Sequence, residues 1–294
     1  MLRGIGDDCA LLRPTPGNHL LVTTDLCIEN VHFRRAWHPP ASVGHKCLTR
    51  GLSDIAAMGG TPTACFLSLG LPATLPQSWV DAFLTGLRNL ARRYRIQLAG
   101  GDISSARQVI ADIVVVGKAP ARRAVLRSGA RPGDRIYVTG RLGGSATVLK
   151  QLRAGERVKP AKSSPHFYPE PRIQVGRWLQ RRGLAAAMID LSDGVSVDLA
   201  HICEESRVSA IINAAELPIA SGSNLELALH GGEDYELLFT ARRRTTVPGR
   251  IAGVRITEIG EVRNRSNYSS AIQVLGENGR VGVLPQRGWE HFRK

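Results

Sequence analysis

Apolar residues recur along this chain with two alternating periods. Residues 19–24 form a short apolar run that ends in Thr23, Thr24 and Asp25, the pattern of a buried strand delivering polar side chains at its end. Between residues 41 and 58, Val43, Cys47, Leu48, Leu52, Ile55 and Ala56 recur at helical spacing, and Gly59-Gly60 before Pro62 stops the helix. Asp54 then faces the negative end of the helix dipole, a choice that favours a bound cation over stability. Residues 64–71 read as a second strand. Val80, Phe83, Leu84, Leu87, Leu90, Ala91 and Tyr94 mark a long amphipathic helix. Residues 97–99 lead into Gly100-Gly101-Asp102, and the β-branched run 109–116 is another strand.

The pattern breaks around Pro120, and Arg127 to Asp134 is turn chemistry, which places a domain boundary there. The expected organisation is α/β with two domains, residues 1–120 and 121–294. The second half begins with a strand over 135–139 and a helix over 145–153. A proline-rich segment follows, with Pro160, Pro165, Pro169 and Pro171, and its length suggests a mobile cover over a site. A helix over 172–182 precedes a strand over 187–191, which runs into Ser192-Asp193-Gly194 and a further helix. Asp190, Ser192 and Asp193 thus stand where a strand gives way to a helix N-terminus, a position suited to phosphate and metal. Gly231-Gly232-Glu233-Asp234-Tyr235-Glu236 precedes a strand over 237–240. No internal repeat is evident.

With 294 residues and 43% hydrophobic content the chain can bury a substantial core. It contains no apolar run long enough to span a membrane, and no signal-like segment follows Met1-Leu2-Arg3-Gly4, so a cytoplasmic protein is expected. The five cysteines lie singly, without a C-x-x-C pair, and read as reduced packing residues. A net charge of +14 invites nucleic acid, but the arginines are scattered in short groups such as Arg122-Arg123 and Arg181-Arg182. Anionic small molecules suit that distribution better.

Gly4-Ile5-Gly6-Asp7-Asp8 sets two adjacent carboxylates behind a glycine turn, where they repel unless a cation stands between them. Counted together, Asp8, Asp25, Asp54, Asp102, Asp190 and Asp193 lie at expected element ends beside Gly, Ser or Thr. Such oxygens suit Mg²⁺, whereas zinc would want histidine and cysteine clusters. Phosphoryl transfer follows from that chemistry. Single residues keep plainer readings: His32 suits packing beside Phe33, Trp289 suits C-terminal packing, and Asp193 suits a helix N-cap.

Gly4 to Ala10, Thr23-Thr24-Asp25, Glu29 to Phe33, Leu52 to Gly59, Gly100-Gly101-Asp102, Ile189 to Gly194 and Gly231 to Leu237 occur in an order that closely resembles the thiamine-monophosphate kinases. That family belongs to the superfamily of aminoimidazole ribonucleotide synthetase, and the resemblance covers essentially the whole chain. It implies a two-domain fold, N-terminal ATP/Mg-binding and dimerisation with a C-terminal α/β domain, and a homodimer formed through the N-terminal sheet. It implies Mg²⁺ ligands at Asp8, Thr23, Thr24, Asp25, Asp54, Asp102, Asp190 and Asp193. ATP contacts fall on Gly101, Asp102, Arg127 and Ser192, and thiamine phosphate contacts on His32, Glu233 and Trp289. Catalysis would be electrostatic, resting on Asp54, Asp190 and Arg127, with direct in-line transfer to thiamine phosphate.

Two departures stand out. Only Met1-Leu2-Arg3 precede the Gly-Asp-Asp motif, and Gly51 replaces the common Asn before Leu52-Ser53-Asp54. Neither removes a ligand. The alternative enzyme is another ATP-dependent synthetase of the superfamily, activating an amide or similar oxygen. Selenophosphate synthesis would want a reactive N-terminal Cys beside a Lys, and carbamoyl dehydration a C-terminal Cys, where this chain has His291-Phe292-Arg293-Lys294.

Overall fold

The computed structural model describes residues 10–265, 272–276 and 278–288. Its first sheet contains β1 (Ala10–Thr15), β2 (Asn18–Ile28), β3 (Thr61–Leu71), β4 (Gln97–Ser105) and β5 (Ile110–Pro120) in the order β1-β2-β5-β3-β4. Neighbours are antiparallel except β3 and β4. Two helices, α1 (Pro40–Ala57) and α2 (Gln77–Tyr94), lie between its strands in sequence.

The second half supplies β6 (Arg135–Thr139), α3 (Gly144–Arg153), α4 (Ile173–Arg182), β7 (Ala187–Asp190), α5 (Val195–Ser206) and β8 (Ser209–Asn213). The chain continues through α6 (Leu225–His230), β9 (Leu237–Ala241), β10 (Arg250–Ile251), β11 (Val254–Arg263), β12 (Ile272–Leu275) and β13 (Val281–Val283). These strands form a sheet ordered β13-β12-β8-β11-β6-β9-β7, with β10 paired to β11.

Helix α1 lies at the centre. Thirteen of its residues are buried, because it packs on β2 and β5 on one side, on α2 laterally, and on α4 and β7 on the other. Its apolar positions therefore extend around the helix instead of forming one stripe. One continuous core joins Leu48, Leu52 and Ile55 of α1 with Ile113 and Val115 of β5 and with Met188, Leu237 and Phe239 of the second sheet. The other face of that sheet packs Ile136, Ile189 and Leu238 against Leu199 and Ile202 of α5. Strand β9 is buried on both faces, which explains why every position but Thr240 is apolar.

Three sequence expectations change here. Strand β2 does not end at Thr24: it pairs with β5 through Ile28, with Asp25 opposite Ile113, so Asp25 sits mid-strand. Gly101 and Asp102 likewise lie inside β4, not at an element end. Glycine is required at 101, where a Cβ would come within 1.8 Å of the Leu67 carbonyl oxygen on β3. The proline-rich segment is also a packed wall. His166 and Phe167 within it are buried, Pro169 O accepts from His45 Nε2 on α1 at 2.8 Å, and Glu170 takes Arg93 of α2 at 2.6 Å.

Helices α1 and α2 meet through glycine. A Cβ on Gly86 would lie 1.9 Å from the Ala41 carbonyl oxygen, and one on Gly44 1.9 Å from that of Phe83. Gly86→Ala should therefore cost about 1 to 3 kcal/mol despite its better helix propensity, while Gly249→Ala, with open space around it, should stay within about 0.5 kcal/mol. Denaturant unfolding of the two variants checks this; equal stabilities would refute the close approach.

Candidate active site

Glu233-Asp234-Tyr235-Glu236 is where the second half meets α1. Glu233 and Tyr235 have positive φ angles of 65° and 50°, a backbone cost for non-glycine residues that surrounding contacts must hold in place. The Glu233 N–H donates to Ser192 O at 2.7 Å and the Tyr235 N–H to Leu191 O at 2.9 Å, tying the motif to the end of β7. Lys46 Nζ lies 2.6 Å from Glu233 Oε2, with only 1% of the lysine side chain exposed. Arg50 donates to Tyr235 Oη at 3.2 Å and to Asp25 Oδ1 at 3.0 Å. Burial would raise the Glu233 pKa, but Lys46 and then Arg50 overcome that and hold it down at about 2. Asp234 instead caps α3, accepting from Gly143 N at 2.6 Å, and burial pushes its pKa up to about 7. Glu236 accepts from Arg172 Nε at 2.6 Å.

Strand alternation sorts the β2 residues onto two faces. Thr23 and Asp25 turn inward, where the Thr23 hydroxyl donates to Asp54 Oδ2 and Arg50 pairs with Asp25. Thr24 turns outward and donates to Asp112 Oδ1 at 2.6 Å. Burial raises the Asp25 pKa, Arg50 opposes the rise, and Asp112 adds to it. Asp54 sits in the last turn of α1, its carbonyl accepting from Met58 N at 3.2 Å. Glycine at 51 follows from packing, since a Cβ there would meet Val115 Cγ2 at 2.6 Å.

The corner between β7 and α5 carries the other carboxylates. Asp190 is 3% exposed at the end of β7. Asp193 does not cap α5; Asp198 does the local bonding, accepting from the N–H groups of Asp193 and Gly194 at 3.1 and 3.0 Å. Burial drives the Asp198 pKa well up, and Asp193 and Asp190 reinforce the rise, so these three carboxylates crowd one another. Arg127 sits on a short 3₁₀ turn, and its carbonyl accepts from Ser206 Oγ at 2.6 Å.

These groups converge on a cleft of about 480 Å³ between the halves. Thr23, Thr24, Asp25, His32, Asp54, Arg127, Asp190, Ser192, Asp193 and Glu233 all line it. Gly101 and Asp102 do not, because β4 is the exposed far edge of the first sheet. Asp8 and Trp289 lie outside the described residues. The neighbouring Gly288 approaches the corner, for a Cβ on it would come 2.3 Å from Asp193 O. His32 accepts from Ile28 N at 3.0 Å through Nδ1, which combines the packing role with a place on the wall.

The cleft also contains Arg34, Trp37, His38, Arg50, Arg153 and His166, none singled out from the sequence. Arg34 stacks on Trp37 at 4.4 Å. Lys46 and Asp112 were equally hidden, one inside an apolar helical pattern and the other inside a β-branched strand. Among the described residues no three His, Cys, Asp or Glu side chains form a ready-made metal cage. The donors are all oxygen, and Mg²⁺ commonly takes only one or two protein carboxylates beside water and phosphate, so the set suits it.

Residues 6–119 match the N-terminal domain of the AIR synthase related proteins, and residues 131–273 match their C-terminal domain. Thiamine-monophosphate kinase of Bacillus subtilis is 36% identical over 309 residues, covering 99% of this chain and 93% of the relative. The chain belongs to the AIR synthase related family, among the thiamine-monophosphate kinases. The Escherichia coli K12 kinase is 38% identical over 306 residues, with 98% of this chain and 91% of the relative covered. The solved structure of AaThiL complexed with AMPPCP and TMP superposes with a TM-score of 0.86 at 35% identity, covering 98% of this chain and 92% of that one. The α/β architecture is thus that of this family.

Lys46→Met would leave Glu233 without its nearest cation. Glu233 keeps 22% of its side chain in contact with solvent, so the expected cost is about 3 kcal/mol, the lower end for breaking a buried pair. Because the folded pKa is depressed below 4.5, the pair's stabilisation is present above about pH 4.5 and is lost as pH falls toward about 2. Unfolding of wild type and variant at pH 7 and at pH 3 should show the gap narrowing in acid; a gap independent of pH would contradict the pairing.

Proposed function

We propose that this chain transfers the terminal phosphoryl group of ATP to thiamine phosphate, giving thiamine diphosphate and ADP. The observation that carries it is a cleft lined by Asp25, Asp54, Asp190 and Asp193, in a chain that aligns almost throughout with thiamine-monophosphate kinases. The relative solved with AMPPCP and TMP supports the same pair of substrates.

In this reading the corner of β7 and α5 receives the phosphates. Asp25, Asp54, Asp190 and Asp193, with Thr23 and Thr24, hold Mg²⁺, and Asp8 belongs to the same set. Bound Mg²⁺ supplies the positive charge that neutralises the transferring phosphoryl oxygens. Arg127 adds a fixed cation at the cleft and Ser192 a hydroxyl. His32, Glu233 and Trp289 serve the acceptor, joined by Trp37, which lines the cleft with Arg34 stacked on it. Glu233 acts chiefly through the wall, since Lys46 and Arg50 already neutralise it. Catalysis comes from positioning and fixed charge, with direct in-line transfer and no phosphoenzyme.

The two proposed domains are residues 1–120, which carry dimerisation and part of the Mg²⁺ set, and 121–294, which add the phosphate corner, so ATP lies between them. A homodimer through the first sheet is supported by its outer face, where Leu26 and Phe66 are 49% and 39% exposed. Leu26→Glu with Phe66→Glu should give a monomer in sedimentation, and a wild type already monomeric at micromolar concentration would dispose of the idea. No helix of the described residues is long and apolar enough to cross a membrane, and the cytoplasm fits the four described cysteines, which are buried and outside disulfides.

ADP release should require thiamine phosphate and Mg²⁺ or Mn²⁺. Asp54→Asn and Asp190→Asn should each lower kcat by at least about a hundredfold with the fold retained, since each removes a charge and little volume. Turnover with an amide acceptor in place of thiamine phosphate would favour the synthetase alternative, and near-normal turnover in either folded variant would remove the assigned metal site.

A further inference from the structure

Two histidines 128 positions apart meet inside the cleft wall. His38 Nε2 and His166 Nε2 are 3.1 Å apart, and the residues are 3% and 1% exposed. His166 Nδ1 lies 3.0 Å from Ser145 Oγ in the first turn of α3. His38 Nδ1 lies 3.3 Å from Arg34 N and 3.1 Å from Arg34 O. Phe167 packs on both rings, with centroids 5.3 Å from His38 and 5.2 Å from His166.

Hydrogen-bond bookkeeping allows two proton arrangements, each leaving both rings neutral. In one, Arg34 N–H donates to His38 Nδ1, His38 Nε2–H to His166 Nε2, and His166 Nδ1–H to Ser145 Oγ. In the other every donor reverses, from the Ser145 hydroxyl through both rings to Arg34 O. Protonating both rings would set N–H against N–H between the two Nε2 atoms, 3.1 Å apart. The charged groups facing the pair are Lys46 of α1 and Glu233 of the motif beside it; burial and Lys46 keep His38 at about 4 and His166 at about 3, so the pair stays neutral around pH 7.

The consequence is mechanical. Residues 30–38 carry Asn30, Val31, His32, Phe33, Arg34 and Trp37 on the cleft surface, and they belong to the first half. The His38–His166–Ser145 chain joins this wall to the start of α3, whose Ser145 N–H and Gly143 N–H donate to Asp234 beside Glu233. We propose that His38 and His166 act as one positioning pair that fixes the acceptor-binding wall of the cleft, so that thiamine phosphate meets a preformed surface. This rests on the reading that thiamine phosphate is the acceptor. The phosphate-binding corner, Asp190 to Asp193 with Arg127, stands on other elements and meets the pair only indirectly, through the Glu233 motif.

Steady-state kinetics with each substrate varied separately tests it. His166→Ala should raise the Michaelis constant for thiamine phosphate about tenfold, with that for ATP unchanged and kcat within about threefold. His166→Gln, whose amide can reach His38, should recover most of the loss. Ser145→Ala, which keeps both rings packed, should give a smaller rise of about threefold and remains informative if His166→Ala does not fold. A purely structural role would instead lower the active fraction and affect both substrates alike. If wild type turns over and the folded variants keep their Michaelis constant for thiamine phosphate, or lose ATP affinity equally, the proposal is wrong. If wild type yields no thiamine diphosphate, the acceptor reading falls and takes the proposal with it.

Discussion

An ammonium group with almost no exposed surface must find an anion, and Lys46 finds Glu233 across the boundary between the two halves. The rest of the cleft depends on that constraint. Glu233 reaches Lys46 from a backbone held at positive φ, and the same motif sends Tyr235 to Arg50 and Asp234 to the start of α3. Arg50 in turn fixes Asp25 on β2. One helical face of α1 therefore sets the positions of a strand carboxylate in one half and of the Gly-Gly-Glu-Asp-Tyr-Glu motif in the other.

Around this bridge, acidic groups crowd one another. Asp25 shares Arg50 with Tyr235 and lies near Asp112, while Asp190, Asp193 and Asp198 repel one another at the end of β7. Such crowding costs stability unless cations arrive with the ligand, and it is what a site for Mg²⁺ and nucleotide phosphate requires.

Long periodic elements were legible because one period dominated each: α1, α2, β3 and β5 follow their apolar spacing closely. Strand β2 was read too short, since polar Thr23, Thr24 and Asp25 interrupt the apolar run while the backbone pairing with β5 continues. Strand β4 was missed because its side chains are mostly exposed and two glycines occupy it. Strand β11 hides its alternation behind a bulge between Glu258 and Gly260. The acidic members of the cleft could be read from their Gly, Ser and Thr neighbours. Their cationic partners could not, for Lys46 and Arg50 look like the solvated face of a helix until both sheets close over it. The contact between His38 and His166 carries no local signal at all, being made only by the tertiary fold.

The central claim is that nucleotide and acceptor meet in the cleft closed by α1 and the Glu233 motif. A crystal structure of this chain soaked with a non-hydrolysable ATP analogue, Mg²⁺ and thiamine phosphate measures it directly. The account places the terminal phosphate beside Asp190, Asp193 and Arg127, and the thiamine rings against residues 30–38, with the Lys46–Glu233 bridge intact. Density for either substrate outside this cleft, or binding that opens the bridge, would contradict it.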